Sequence, residues 1–153
     1  MRAVIEHSLL RHLSEANRFV RAEALRALAK VAGTRKLETF RQMRYDSDAL
    51  VRCAALEALV SLDSDSDARN ELTTLIRHPD SFVRKWACEA VAAAHAHEAT
   101  PSLIQALRDR SPLVRKAACK ALCAVASTNS AREIEQLLDD NNQFVRRAAK
   151  TSP

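Results

Sequence analysis

The chain has 153 residues, enough for one domain with a sizeable core. It contains one glycine, four prolines and 4% aromatic residues against 47% hydrophobic. Strands favour β-branched and aromatic residues and tight turns need glycine, so this composition excludes a strand-rich fold and predicts an all-α protein. The net charge of +5 permits an acidic partner without demanding one, and no apolar run approaches the roughly 20 residues a membrane helix needs.

The chain opens on "MRAVIEHSLLRHL", in which Arg2, Glu6, His7 and Arg11 interrupt any signal-peptide core while Leu9, Leu10 and Leu13 share one helical face. Asn17 then stands where a helix cap is needed, ahead of "NRFVRAEALRALAKVA". After "AGTR" comes a second amphipathic segment, Leu37/Phe40/Met43, followed by Asp48 and "DALVRCAALEALVSL". The polar "DSDSDAR" leads to Leu72/Leu75/Ile76, then Asp80 and "DSFVRKWACEAVAAA". Leu103/Ile104/Leu107 precede Ser111 and "SPLVRKAACKALCAVA", where Pro112 sits at the first helical position, whose N–H is unpaired in any helix. After "STNSAR", Ile134/Leu137/Leu138 precede Asn142 and "NQFVRRAAK".

These segments are copies of one unit. Val-Arg recurs at Val20-Arg21, Val51-Arg52, Val83-Arg84, Val114-Arg115 and Val145-Arg146. An apolar residue precedes each valine (Phe19, Leu50, Phe82, Leu113, Phe144), and alanine follows four later (Ala24, Ala55, Ala87, Ala118, Ala149). The residues 4, 7, 8 and 11 after the valine share its face at a 3.6 period, as in Val51, Ala55, Ala58, Leu59 and Leu62. Each unit therefore reads as a helical hairpin, with approximate bounds 1–32, 33–63, 64–96, 97–127 and 128–153. The cap, Val-Arg and alanine pattern, clearest in "RYDSDALVRCAALEALVSL" and "RDRSPLVRKAACKALCAVA", resembles the short HEAT repeat of the phycobilisome-lyase type. The resemblance covers nearly the whole chain. It implies a right-handed α-α superhelix of about five hairpins, with the second helix of each pair lining a concave side. The chain opens without a preceding unit and stops soon after Val145. A solenoid needs capped ends, so the expectation is a piece of a longer array or a last unit covered by something else.

Arg21, Arg52, Arg84, Arg115 and Arg146 recur at the edge of the buried stripe, and an acid five before the valine recurs as Glu15, Asp46, Asp109 and Asp140, with His78 as the exception. Periodicity marks these as scaffold, an Asp–Arg ladder between successive turns, which is also their role in the family it resembles. Cys88 and Cys119 fill the slot that holds Leu25 and Leu56 in other copies, so the cysteines read as reduced, buried small hydrophobes. His95 and His97 fall at a helix end in poor geometry for two ligands. The several His-Glu pairs of deoxyhypusine hydroxylase, a HEAT-like di-iron enzyme, reduce here to His97-Glu98. No nucleophile elbow, phosphate loop or zinc-protease pattern occurs. A non-enzyme without metal or cofactor is expected.

The informative residues face away from the stripe and differ between copies. Two after the valine stand Ala22, Cys53, Lys85, Lys116 and Arg147; six after it stand Arg26, Glu57, Glu89 and Lys120. The concave face is thus expected to be mixed in its first half and basic in its second. Lys85, Trp86, Glu89, Lys116, Lys120 and Arg147 form the predicted contact patch, with Arg26 and Glu57 before it; Trp86 is read either as an interface anchor or as packing between repeats. The expected role is a cytoplasmic interaction scaffold for a protein with an acidic or mixed-charge surface. Alternatives are a nucleic-acid binder using the basic face and a bilin lyase or lyase-like chaperone subunit.

Overall fold

A computed structural model describes residues 1–125 and 130–151. Among them the chain is helical throughout, without strands. The elements are α1 (Arg2–His12), α2 (Arg18–Ala32), α3 (Leu37–Met43), α4 (Ala49–Asp63), α5 (Ser66–Thr74), α6 (Ser81–Ala93), α7 (Thr100–Ala106), α8 (Pro112–Val125), α9 (Ala131–Glu135) and α10 (Gln143–Lys150). Short 3-10 turns at Gly33–Lys36, Leu75–Arg77, His97–Ala99 and Gln136–Asp139 adjoin α3, α5, α7 and α9.

The predicted starts of the second helices are where the caps place them. The side chains of Asn17, Asp48, Asp80 and Asn142 accept from the N–H groups of Phe19, Leu50, Phe82 and Phe144 at 2.8–2.9 Å. In the fourth copy the Ser111 carbonyl accepts from Val114 and Arg115, and Pro112 opens α8. Helix ends use the left-handed region three times: Gly33 (φ 57°), Ser64 (φ 52°) and His95 (φ 48°). Gly33 occupies it without penalty, whereas Ser64 and His95 carry a Cβ there. At His95 the chain reverses as Ala96 N–H donates to the Val91 carbonyl at 3.0 Å.

The chain divides into two compact units, Met1–Leu72 and Thr73–Pro153, with the boundary inside α5. In the first, α2 packs on α1 and α4, and α3 packs on α4. Leu25, Leu28, Phe40, Leu50, Leu56 and Leu59 are fully buried there. Val20, at the start of α2, remains 38% exposed, and α1, which packs on α2, buries none of its residues. In the second unit α6 and α10 both pack on α8, and α7 also packs on α8. Val83, Val91, Leu103, Val114, Leu122 and Val145 close its core. The alanines at the repeat position are buried throughout, which lets the helices approach closely.

Candidate functional site

The recurring arginine does two jobs at once. One arm of its guanidinium holds the loop before its own helix: Arg21, Arg52, Arg84 and Arg115 each donate to two carbonyls five and six residues earlier, and Arg146 donates to the Asp140 carbonyl. The other arm reaches the acid 25 positions ahead. Arg84 meets Asp109 through two bonds of 2.7 and 2.8 Å, Arg115 meets Asp140 likewise, and Arg21 meets Asp46 through one of 3.2 Å. Those acids also accept from the backbone two residues on, at Asp48, Ser111 and Asn142. The ladder is not continuous. Arg52 has its two carbonyl bonds, but the copy that follows it carries His78 in place of an acid, and the His78 ring takes over only the backbone bond, from Asp80 N–H. The hydrogen bonds from Arg115 hold the Asp140 carboxyl below the usual carboxylate range. Burial alone would raise Asp109, but the bonds from Arg84 and Ser111 N–H outweigh it and hold that carboxyl low as well.

The cysteines form no disulfide; Cys53, Cys88 and Cys119 are buried, and Cys123 is half-buried with its thiol donating to the Cys119 carbonyl. Burial pushes the Cys88 thiol up to about 12, the opposite of what a nucleophile needs. The His97 ring bonds the Val125 carbonyl. Among the described residues no group of three or more His, Cys, Asp or Glu side chains gathers as a metal would require. An open groove of about 410 Å³ lies in the second unit, and the charged groups in its wall bond within it: Arg84 with Asp109, Arg77 with Gln105, Arg110 with the Pro79 carbonyl.

The predicted contact residues separate into two groups. In the first unit, Arg26 and Glu57 bond each other at 2.8 Å across α2 and α4, half-buried, so they brace these helices instead of presenting charge. Ala22 and Cys53, expected to point outward, are fully buried. In the second unit, α6, α8 and α10 carry Lys85 and Glu89, Lys116 and Lys120, and Arg147 on a shared accessible face. Lys120 and Arg147 are exposed; Lys85 pairs with Glu89 at 3.1 Å. Of the two readings of Trp86, its burial favours packing between repeats over an interface anchor. It is 5% exposed, in the slot that Ala54, Ala117 and Ala148 also bury, and the Lys85 ammonium lies 5.9 Å from its ring centre, over it. A ring one position round the helix from the outward face turns inward and fills space that alanine leaves in other copies.

Sequence reasoning passed over the residues just before the valines. Phe82, Leu113 and Phe144 are 42%, 51% and 56% exposed, although their periodicity reads as scaffold. The signal was present: each lies three residues before the outward-facing cation of its helix, hence on the same face. Lys116 sits over the Phe144 ring at 5.7 Å.

The sequence profile of the HEAT-repeat family matches residues 6–92, 37–108 and 72–152. Two solved structures share the fold. One is the complex of CpcE and CpcF of phycocyanin lyase from Nostoc sp. PCC7120, at TM-score 0.66 and 20% identity over 94% of this chain. The other is an engineered protein, at TM-score 0.62 and 20% identity over 95% of this chain and 76% of its own. This chain spans 62% of the matched lyase-complex chain. No curated protein matches the sequence.

Proposed function

The chain belongs to the HEAT-repeat family, and from that premise we propose that it is a non-catalytic scaffold that binds another protein on the outward face of α6, α8 and α10. The observation that carries the reading is that Lys116, Lys120 and Arg147 stay at least partly accessible and vary between copies, while Arg84, Arg115, Asp109 and Asp140 are spent on the ladder. Stacked helices present such a face rigidly, so ordering it costs little on binding. The chemistry around it favours holding over bond-making: the Cys88 thiol is pushed up, and the low Asp109 and Asp140 carboxyls are locked to arginines, so neither is poised to move a proton near neutral pH. A partner with an acidic or mixed surface fits the cations. Four cysteines that form no disulfide suit a reducing compartment such as the cytoplasm, and among the described residues no helix is long and apolar enough to cross a membrane.

The test is Lys116→Ala with Lys120→Ala, compared with the unaltered chain in affinity capture from the source organism. Proteins retained by the unaltered chain should be depleted at least several-fold, with the melting temperature little changed, because Lys120 is exposed and Lys116 touches only the exposed Phe144 ring. Full retention would overturn the assignment. Retention of nucleic acid in place of protein, lost in salt, would support the nucleic-acid reading, for which the same cations speak.

A further inference from the structure

Exposed positions on a helix are ordinarily polar, and apolar residues scattered singly need no explanation. Helices α6, α8 and α10 of the second unit break that rule in register. Each opens on an exposed large apolar side chain, Phe82, Leu113 and Phe144, and each follows it one helical turn later with a cation, Lys85, Lys116 and Arg147. Since α6 and α10 both pack on α8, the apolar residues form a row and the cations a second row beside it. Packed helices lie about 8–10 Å apart, which sets the step of both rows. The chain thus builds a strip with two lanes, one apolar and one positive, the latter continued by Lys120.

We infer that this strip docks an acidic protein segment whose apolar side chains recur about 9–10 Å apart. The inference rests on the proposed reading of this face as a protein-binding one, and adds what the partner must carry. An extended polyproline-type segment repeats one side every third residue, about 9 Å, which matches the step of the row. Acidic residues between those positions would meet Lys116, Lys120 and Arg147, while Lys85 is already paired with Glu89 on its own helix. One feature favours protein over nucleic acid: Leu113, in the middle of the row, offers no ring for a base to stack on. A second copy of the chain is disfavoured at this strip, because the two cation lanes would repel.

The probe is a short fluorescein-labelled synthetic peptide with leucine at every third position and aspartate or glutamate between, followed by fluorescence anisotropy. Control peptides replace the leucines by serine or the acids by lysine, and a labelled single-stranded oligonucleotide of thymidines is run in parallel. The unaltered chain should bind the parent peptide, and each control peptide should bind about tenfold more weakly or worse. The triple variant Phe82→Ser, Leu113→Ser, Phe144→Ser should lose the parent peptide to the same degree. The peptide series uses the unaltered chain, so it decides the matter even should the triple variant fold poorly. Equal binding of the serine peptide, or an oligonucleotide that binds while the parent peptide does not, would sink the inference. If no peptide binds, yet the lysine double variant still sheds its cellular protein partner, the partner chemistry is wrong and the protein-binding reading stands. If that variant keeps its cellular partner, the reading itself falls.

Discussion

Cys88 shows how a position's environment decides what a residue type can do. Its thiol sits in the slot that Leu25 and Leu56 fill elsewhere, fully buried, and burial pushes it up to about 12. At pH 8 almost none of it is thiolate, and thiolate is the reacting form. Alkylation with iodoacetamide under native conditions should therefore label Cys123 well ahead of Cys53, Cys88 and Cys119, as read by mass spectrometry of peptides. Comparable labelling of Cys88 would mean that the helix opens far more often than its packing implies. Trp86 teaches the same lesson in the other direction. In sequence, a tryptophan beside an outward lysine reads either as a docking anchor or as packing, and a shift of one position round the helix puts the ring inside.

At the scale of the element, the decisive unit is the arginine at the start of each second helix together with the acid of the next loop. Arg115 fixes its own loop through the Asp109 carbonyl and grips Asp140 with a two-pronged bond, and Asp140 in turn holds Asn142 N–H at the start of α10. Asp140→Asn leaves one oxygen able to accept from Asn142 N–H but removes the charge and one of the two acceptors that Arg115 grips in a partly buried pair, so it should cost about 2 kcal/mol in urea denaturation. The pH dependence follows from the sign of the shift. Asp140 and Asp109 have folded-state pKa values below the unfolded one of about 4. The stability they supply is complete above that unfolded value and is lost as pH falls through the folded ones. The chain should thus weaken progressively below about pH 4, and Asp140→Asn should flatten part of that slope. A slope identical to that of the unaltered chain would place the acid sensitivity elsewhere.

Over the whole molecule, repeat folds make contacts mainly between neighbouring units, so damage stays local. The chain divides into two compact units, and its one tryptophan lies in Thr73–Pro153. Trp86 fluorescence therefore reports on the unit that contains Asp140, while Asp46 lies in the other and meets its arginine through a single bond at 3.2 Å, against the two-pronged bond at Asp140. Asp140→Asn should lower the fluorescence-monitored midpoint clearly more than Asp46→Asn does. Equal shifts would mean that both units unfold as one cooperative block.

The sequence by itself determined the helical class, the repeat, the capped starts of the second helices, the HEAT family and the arginine–acid ladder. All of these follow from local chemistry repeated at a fixed period, which a single chain displays openly. It also marked the break at His78, where an acid is missing from the series. Tertiary structure decided which outward positions stay outward. Arg26 and Glu57 differ in sign and face each other across two packed helices, so they neutralise one another. Phe82, Leu113 and Phe144 repeat as faithfully as the buried valines beside them, yet remain exposed. Periodicity fixes a residue's angle around its helix; whether another helix covers that angle depends on packing between repeats, which no single repeat contains.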